Sequence, residues 1–420
     1  MKVVLIGGSS PSTPALIEYL VTHKNLPDIE LVLLGRYITP LALVSNAART
    51  LAGNASITIR TATTDDPGWP EAFLGADAIV LQARVGGYKA REWDETFPLR
   101  YGICGDQDLG PGGFSNAWRS WFQLKQFFIE ASVRAPHARF LVLSSPVGIL
   151  VRLGLFAAPQ LNVMGVCELP RTTLHEICST LEIAYSDLVS FGYIGLHHIG
   201  WFYRLNLRTR DLISEYETTR ENLAGFPSAH LICKYSAIPT RYLRFHFHGN
   251  EVIEEQRQAP GARSRQLMHY REKAFATFAT GCAETIKAIL RERSALWYSQ
   301  AIGPLLLSTA GYDTARPVFL SRRNNGAVKQ FPESDVLELA HVLTQTSVES
   351  LILPEPIPDK LISFMRPFVV AESLAAEATW RSDPESMKLA LATHPWTCGL
   401  DDSTRSSLAN EVMSSRGTRS

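Results

Sequence analysis

The feature that most constrains the fold is a short apolar run that ends in a glycine-rich turn. Val3–Ile6 is apolar throughout, and "GGSSPSTP" leads from it directly into a helical pattern, "ALIEYL". A continuous apolar run is typical of a strand buried on both faces of a parallel sheet. We therefore predict a strand, a tight turn and a helix, with Thr13 capping that helix and Pro14 at its first position.

The same alternation continues along the first half of the chain. Further strand candidates are Ile29–Leu34, Ala78–Gln82, Arg139–Ser144 and Asn162–Val166, with helical patterns between them at Leu41–Ala52 and Asn116–Val133. This order predicts an α/β fold with a Rossmann-like, doubly wound parallel sheet. In the second half, longer helical patterns such as Arg265–Thr277 and Glu284–Arg293 indicate a C-terminal mixed α+β lobe.

Chain length and charge limit the possible domain organisation and the possible binding partners. A chain of 420 residues suits two fused lobes, and we predict a dinucleotide-binding domain over 1–195, a substrate and oligomerisation domain over 196–410 and a frayed tail over 411–420. Lys+Arg and Asp+Glu both number 41, which disfavours nucleic-acid binding. No apolar run reaches the about 20 residues of a membrane helix. Six scattered cysteines favour reduced thiols in a cytoplasm.

The turn after the first strand is a candidate nucleotide site. In dinucleotide folds the backbone at this place binds the pyrophosphate, and Gly7, Gly8, Ser9 and Ser10 occupy it here. An ordinary strand-to-helix turn is the alternative, because Ser9 stands where a second fingerprint glycine belongs. The next strand ends in Gly35 rather than in a ribose-binding acid, and the following Arg36 either pairs with the 2′-phosphate of NADP or is a solvated surface arginine.

Two further segments carry possible chemistry. "RVGGYKAREWDETFPLRYG" combines three arginines with glycines, a pattern that suits an anionic ligand. Cys167 follows the apolar run that ends at Val166. It is either a buried core thiol or a thiolate that holds a metal ion.

The longer motifs resemble one family. In chain order they are "IGGSSPSTPALIEYL", "ARVGGYKAREWDETFPLRYGICGDQDLGPGG", "SSPVGI", "GVCELP", "GLHHIGW", "IPTRYLRF", "WYSQA", "RRNNGAVKQFP" and "THPW". They resemble family 4 of the glycoside hydrolases, the NAD- and metal-dependent 6-phosphoglycosidases. The resemblance implies a lactate or malate dehydrogenase-like architecture. It also implies a redox route: oxidation of the sugar at C3, removal of the C2 proton, elimination of the aglycone, addition of water and re-reduction.

The resemblance also implies roles for individual residues. Cys167 and His198 match the ligands of a divalent metal, commonly manganese. Tyr242 matches the base that removes the C2 proton, its phenolate favoured by the nearby cation, with an aromatic core residue as the alternative. Glu168 matches the acid that protonates the leaving oxygen, with a helix N-terminal acid as the alternative. If 195–199 is strand-like, His197 and His198 point to opposite faces, and His197 is then a group behind the metal or a core residue.

The remaining implied contacts concern the substrate. Arg91 and Arg263 match arginines that hold the 6-phosphate, Ser145 replaces a substrate-contacting asparagine, and Asn324 matches a segment that binds substrate or simply forms a turn. Here "GDQDLG" replaces Gly-Gln-Glu-Thr-x-Gly. Motifs of both the α-specific and the β-specific phosphoglucosidases occur, so the anomeric specificity stays open.

Three functions remain open from the sequence. The first is a glycosidase for a phosphorylated or otherwise anionic glycoside, using NAD or NADP and acting as a homodimer or homotetramer. The second is an NAD(P)-dependent sugar or hydroxy-acid dehydrogenase, which has no need of Cys167 with His198. The third is a non-catalytic metabolite-binding protein, suggested by the changes at Ser9, Gly35 and Ser145.

Overall fold

The computed structural model describes residues 1–188, 190–221, 225–259, 262–312 and 317–415. The first half contains, in order, β1 (Lys2–Ile6), α1 (Pro14–Leu20), β2 (Ile29–Gly35), α2 (Ile38–Ala52), β3 (Ile57–Thr63), β4 (Ala78–Leu81), α3 (Gly87–Thr96), α4 (Gly110–Arg134), β5 (Arg139–Val142), α5 (Val147–Ala157), β6 (Asn162–Val166), α6 (Leu169–Thr180), β7 (Ser190–Leu196) and β8 (Ile199–Leu207). The second half contains β9 (Arg210–Asp211), α7 (Leu212–Glu221), α8 (Ala229–Tyr235), β10 (Ile238–Pro239), α9 (Arg244–Phe247), α10 (Gly249–Gln258), α11 (Arg263–Thr280), α12 (Ala283–Arg291), α13 (Gly303–Thr309), β11 (Val318–Arg323), β12 (Val336–Leu343), β13 (Val348–Ser350), α14 (Asp359–Arg381), α15 (Pro384–Thr393) and α16 (Asp402–Ser414).

Six parallel strands form the first part of the sheet, in the order β3-β2-β1-β4-β5-β6. The strand order reverses between β1 and β4, and such a point opens a ligand crevice at the carboxyl ends of the strands. The predicted doubly wound parallel sheet is therefore present. The prediction missed β3, because that strand is half exposed and lacks a continuous apolar run.

Antiparallel strands extend the same sheet. β6 pairs with β11, and the order continues through β12, β7 and β8 to β10. Because β6 and β11 are hydrogen-bonded, the parallel and antiparallel parts share one twisted surface. The site described below lies where they meet, at the end of β6 and the turn between β7 and β8.

The glycine turn needs both of its glycines for packing. Gly7 has φ +84°, and the N–H groups of Gly7 and Gly8 both donate to the carbonyl of Leu34. A Cβ on Gly8 would lie 2.7 Å from the Leu33 backbone, so the turn sits tightly against β2. Pro14 begins α1 as predicted, but Thr13 does not cap it, since its hydroxyl accepts a hydrogen bond from Gln82 Nε2 at 2.9 Å instead.

Elements from the second half cover both faces of the parallel strands. On one face α13 and the preceding segment 298–302 join the cluster of α1 and α2 residues, and on the other α14 and α16 pack on α4 and α5. Arg152 on α5 forms a 2.8 Å ion pair with Glu372 on α14. The predicted boundary at 195/196 thus does not separate two cores, because a parallel sheet must be covered on both faces.

The C-terminal helix corrects the predicted tail. Residues 411–414 belong to α16, whose Leu408, Ala409 and Val412 are buried. Trp118 Nε1 donates to the carbonyl of Met413 at 3.1 Å, and Ser415 Oγ donates to the carbonyl of Ser115 at 3.0 Å. Only 416–420 of the predicted tail lie outside the described residues. Within the described ranges, no helix is both long and apolar enough to cross a bilayer.

Candidate active site

A cavity of about 880 Å³ opens where the parallel and antiparallel strands meet. Its wall includes Glu168 at the start of α6, His198 in the β7–β8 turn and Tyr242 in a 3₁₀ turn, Arg241–Leu243. Phe226 and Phe245 add aromatic surface, and basic side chains complete the rim. The sequence prediction that Glu168, His198 and Tyr242 share a site is consistent with this arrangement.

Cys167 lies at the inner end of the site, directly after β6. The side chain is buried, and Sγ accepts a hydrogen bond from the Leu169 backbone N–H at 3.4 Å, where α6 begins. Burial, followed by the negative charges of Glu168 and Glu338, raises the pKa of this thiol well above its usual range. Burial likewise raises the pKa of the core thiols Cys104 and Cys178, so it is the position beside His198 that sets Cys167 apart; a thiolate here needs a cation beside it.

The two histidines form the turn between β7 and β8. His198 has φ +69°, and this tight turn stacks the rings of His197 and His198 with centroids 3.9 Å apart. The predicted opposite orientation is wrong because these residues belong to the turn and not to a strand. Burial and the neighbouring positive groups of His197 and Arg241 lower the pKa of His198 to about 3, so its ring is neutral and able to ligate a metal.

Acidic groups hold His197 from two sides. Its Nε2 lies 3.4 Å from Asp108 Oδ1, and its Nδ1 lies 3.9 Å from Oε1 of the buried Glu338. Tyr193 donates to the other Glu338 oxygen at 2.6 Å. Burial disfavours the imidazolium, but the contact and charge of Asp108 outweigh it and raise the pKa of His197. His197 is therefore a buried group behind His198 rather than a core residue without a partner.

The loop before α4 brings two carboxylates to the same place. Asp106 Oδ1 accepts the backbone N–H groups of Asp108 and Leu109, at 2.7 and 3.0 Å. Burial and the charge of Asp108 raise the pKa of Asp106 to about 7. Ser145 donates to Asp108 Oδ2 at 2.9 Å, so its hydroxyl orients this acid. A direct substrate contact by Ser145, as predicted, competes with that bond.

The donor atoms fit a divalent metal ion. One atom each from Cys167, His197 and His198 lies within 4.8 Å of the others, and the same holds for Asp106, Asp108 and His198. His198 Nδ1 and Asp108 Oδ1 are buried without hydrogen-bond partners. Thiolate and imidazole favour a transition ion, and carboxylate oxygens suit manganese. The predicted pair Cys167 and His198 is thus brought together, with three more donor side chains around it.

Tyr242 stacks on His198 but its acidity differs from the expectation. The ring centroids are 4.0 Å apart. Burial, together with the charges of Asp106 and Asp108, raises the pKa of Tyr242, opposite to the predicted favoured phenolate. The main reason is burial, and the acidic pair, which the prediction did not include, adds to it. A divalent cation bound beside these acids would reverse the sign of the local field.

Glu168 faces the cavity rather than its helix. It occupies the N-cap position of α6, yet its side chain accepts no capping hydrogen bond from the first turn. The side chain is half-buried and lines the cavity together with Tyr242. This placement favours the predicted proton donor over the helix-stabilising alternative.

Four arginines cluster on the α3 side of the site. Arg91 pairs with Glu95 at 2.6 Å, and the second Glu95 oxygen accepts the Ser264 backbone N–H at 3.0 Å, which brings the start of α11 and Arg263 to Arg91. Burial and the like charges of Arg91 and Arg263 lower the pKa of Arg293. Arg84 is exposed and donates to Gln107, and the charges of Arg91 and Arg293 act on it. The predicted pair Arg91 and Arg263 thus belongs to a larger cationic cluster.

A second cavity, of about 320 Å³, lies at the carboxyl ends of β2 and β3. Arg36, Tyr37, Thr39, Thr63 and Asp65 are among its lining residues. It neighbours the glycine turn, where Ser9 and Ser10 are half-buried beside Gly7 and Gly8. The crevice between β1 and β4 and this cavity match the place where the dinucleotide fold binds pyrophosphate and adenosine.

Asn324 belongs to a structural turn. Its Nδ2 donates to the carbonyls of Val328 and Phe331, both at 2.9 Å, and its Oδ1 accepts the Val328 N–H at 2.8 Å. The residue is 2% exposed. Because the amide is fully engaged, the structure favours the turn-forming alternative over a substrate contact.

The sequence reading missed several members of the site. They are Asp106, Asp108, Arg293 and Glu338. The departure "GDQDLG" was a usable signal for the two aspartates. Glu338 was signalled by a single acid inside an apolar strand, "VLELAHVL". Arg293 carried no local signal, since one arginine among charged helix residues is unremarkable.

Whole-chain comparisons identify the family. The model described as "Family 4 glycosyl hydrolase" matches residues 2–183, and "Family 4 glycosyl hydrolase C-terminal domain" matches 193–397. A probable 6-phospho-beta-glucosidase of Bacillus subtilis is 24% identical over 94% of this chain and 92% of its own length. A maltose-6'-phosphate glucosidase of Fusobacterium mortiferum is also 24% identical, covering 90% of this chain and 89% of its own.

Solved structures share the fold. The 6-phospho-beta glucosidase of Thermotoga maritima, solved with NAD and glucose-6-phosphate, superposes with TM-score 0.87 at 22% identity, covering 99% of this chain and 98% of the other. Malate dehydrogenase of Plasmodium falciparum superposes with TM-score 0.53 at 15% identity over 90% of this chain and 99% of the other. The predicted Rossmann-like architecture is confirmed. With both family models matched across nearly its whole length, the chain belongs to family 4 of the glycosyl hydrolases.

Proposed function

We propose that this chain hydrolyses a 6-phosphorylated glucoside with the help of a nicotinamide dinucleotide and a divalent ion, best Mn²⁺. The observation that carries the proposal is the convergence of His198, Tyr242 and Glu168 on one cavity, with the Cys167 thiol beside His198, in a family 4 chain. Relatives named 6-phospho-beta-glucosidase and maltose-6'-phosphate glucosidase align over most of the chain.

Each ligand has a place in the fold. Cys167 and His198 would hold the ion, and the turn of Gly7, Gly8, Ser9 and Ser10 would bind the pyrophosphate. When bound, the two groups would supply reversible oxidation of the sugar at C3 and stabilisation of negative charge on the neighbouring oxygens. The protein itself must position the sugar and move its protons.

The protons are moved by two side chains of the cavity. Tyr242 lies over His198 and is placed to take the C2 proton once a cation offsets the acids that raise its pKa. Glu168 is placed to protonate the leaving oxygen, since its carboxyl is free of the helix and lines the cavity.

The arginine cluster recognises the phosphate. Arg91 and Arg263 approach each other through Glu95, and Arg293 and Arg84 add two more guanidinium groups. Glu95 already balances Arg91, and the other three guanidinium groups leave an excess of positive charge that a phosphate would offset, since guanidinium suits phosphate geometry. A phosphorylated sugar supplies such a phosphate.

The test is a matched set of substrates. Reduced protein with Mn²⁺ and NAD or NADP is given p-nitrophenyl 6-phospho-β-glucoside, its α anomer and both unphosphorylated glucosides. Nitrophenol release from a phosphorylated substrate alone, dependent on metal and dinucleotide, is the expected result. Reduced dinucleotide accumulating without nitrophenol release would indicate a dehydrogenase. No binding of dinucleotide or phosphorylated sugar would reject the enzyme function.

Replacing Glu168 by glutamine separates proton donation from the rest of the reaction. We expect an alkyl 6-phosphoglucoside to be cleaved about 10²–10⁴-fold more slowly, because its leaving oxygen needs a proton. The p-nitrophenyl substrate should lose little, since nitrophenolate leaves unprotonated. Steady-state rates with the two substrates measure the effect, and an equal loss for both would exclude the assigned role.

The cavity at Arg36 predicts the preferred dinucleotide. Arg36 lines it, and Gly35 leaves no acid at the end of β2 to bind a free ribose. We expect Arg36→Asp to weaken NADP binding about 10–100-fold, the strength of a hydrogen bond to a charged group, and to change NAD binding much less. Calorimetric titration of both dinucleotides checks this. Lys24→Asp, an exposed charge reversal beyond the far end of α1, is the control, and equal weakening of NAD and NADP by Arg36→Asp would reject the preference.

The cysteines bear on the cellular compartment of the enzyme. The six cysteines are free in the structure, which supports a reducing cytoplasm. A homodimer or homotetramer stays a prediction, to be checked by light scattering.

A further inference from the structure

Two carboxylates that the mechanism above does not use lie beside His198. Oxygens of Asp106 and Asp108 and a ring nitrogen of His198 lie within 4.8 Å of one another. The Asp108 side chain is only 5% exposed, and its Oδ1 is buried without a hydrogen-bond partner. Two acids held this close repel each other unless a proton or a cation lies between them. The pair is thus arranged for a positive group.

His197 does not act as a ligand for a cation at this place. Its Nε2 faces Asp108 at 3.4 Å and its Nδ1 faces Glu338 at 3.9 Å, so both ring nitrogens are directed at acids. Stacking on His198 fixes the ring further. His197 is instead a positioning residue, and the additional donors available beside His198 are carboxylate oxygens.

We propose that Asp106 and Asp108 bind the divalent ion together with Cys167 and His198, so that this chain holds Mn²⁺ without a bound sugar. The inference rests on the proposed role of Cys167 and His198 and extends it. Two side-chain ligands alone bind an ion weakly and leave the sugar to complete its coordination. Four ligands, two of them negatively charged oxygens that suit Mn²⁺, make a site within the protein.

Oxygen ligands of one small divalent ion lie at about 2.1 Å from it, so two of them are at most about 4.2 Å apart. The two donor sets share His198, with Cys167 in one set and the two acids in the other. Side-chain movement about His198 would bring both sets onto one ion. Asp106 is already fixed by two backbone N–H groups on Oδ1, and Ser145 orients Asp108 through Oδ2. One oxygen of each acid is therefore held by hydrogen bonds, and Asp108 Oδ1 would be shared between the ion and the 3.4 Å contact with His197.

The experiment is a Mn²⁺ titration followed by electron paramagnetic resonance, with reduced protein and neither sugar nor dinucleotide. The variants are Asp106→Asn, Asp108→Asn, the double variant and Cys167→Ser. Asn keeps the shape and the backbone hydrogen bonds of Asp106 but removes the charge. Asp359→Asn, an exposed acid at the start of α14, is the matched control.

The parent and the control are expected to bind Mn²⁺ with equal affinity. The double variant should bind at least about tenfold more weakly, since even an outer partner of a metal ligand contributes about 10–100-fold. Binding by the double variant as tight as by the parent would overturn the proposal, provided Cys167→Ser weakens it. If Cys167→Ser also binds normally, the proposed metal centre itself fails.

A spectroscopic measurement guards against misfolding. Co²⁺ in place of Mn²⁺ gives a sulfur-to-metal charge-transfer band that reports the Cys167 bond, and visible bands that report the other ligands. In the folded Asp variants we expect the charge-transfer band to persist while the visible bands shift. Visible bands identical to those of the parent would overturn the role of the acids, and the single variants supply this test if the double variant does not fold.

Discussion

Cys167→Ser is expected to reduce Mn²⁺-dependent turnover by about 10²–10³-fold, because a metal ion contributes several kcal/mol of charge stabilisation in such reactions. The side chain is buried at the end of β6 and lies with His198 inside a cluster of metal-binding donors. Serine keeps the size of the side chain but offers a neutral hydroxyl where a thiolate belongs. Initial rates at saturating Mn²⁺ and NAD measure the effect.

Cys178→Ser is the control for that substitution. Cys178 is an equally buried free thiol on α6, where no cluster of metal-binding donors includes it among the described residues. It should lose some stability but keep the rate per folded molecule. Unfolding followed by circular dichroism separates the two effects. Full activity in folded Cys167→Ser would remove this residue from the metal centre.

The sequence predicted the parts of the site that lie at the ends of buried strands. β6 is apolar at nearly every position, so its end was clear, and Cys167 follows it directly. The family motifs then added His198, Tyr242 and Glu168. For these residues the local sequence pattern and the family motif agree, and the structure brings the four residues together as predicted.

The sequence could not predict how separate segments meet. The sequence of 195–199 fits a continuous strand as well as a two-residue hairpin turn. The structure has the turn, and the turn places both histidine rings side by side. The acidity of Tyr242 likewise depends on Asp106 and Asp108, which arrive from a loop far away in the chain. Ser145 contacts Asp108 for the same reason. Tertiary contacts of this kind produce no periodic pattern in the sequence.

The sequence could not predict which helices cover the sheet, for a related reason. Apolar residues in helices α11 to α16 indicate that part of each helix is buried, but not what buries it. The parallel strands demand cover on both faces, and residues of α13 and α14 supply it by returning to the first half of the chain. A linear division into lobes therefore underestimates how far the two halves share a core.

Tyr242→Phe is expected to slow exchange of the sugar C2 proton with solvent deuterium by about 10²–10⁴-fold, the usual contribution of a positioned base. Phenylalanine keeps the ring that stacks on His198 and Phe245, so the packing of the site should survive. Only the phenol oxygen is lost. Deuterium incorporation measured by mass spectrometry, with metal and NAD present, gives the rate of proton removal apart from the later elimination.

Two further measurements decide whether Tyr242 is the base or merely packs beside the metal. Tyr235→Phe, in the aromatic cluster around Trp201, removes a half-buried phenol away from the metal-binding donors and should leave exchange unchanged. Mn²⁺ affinity should also stay unchanged in Tyr242→Phe, because the residue stacks on His198 without belonging to the donor cluster. Undiminished exchange with intact metal binding would move the base to another group.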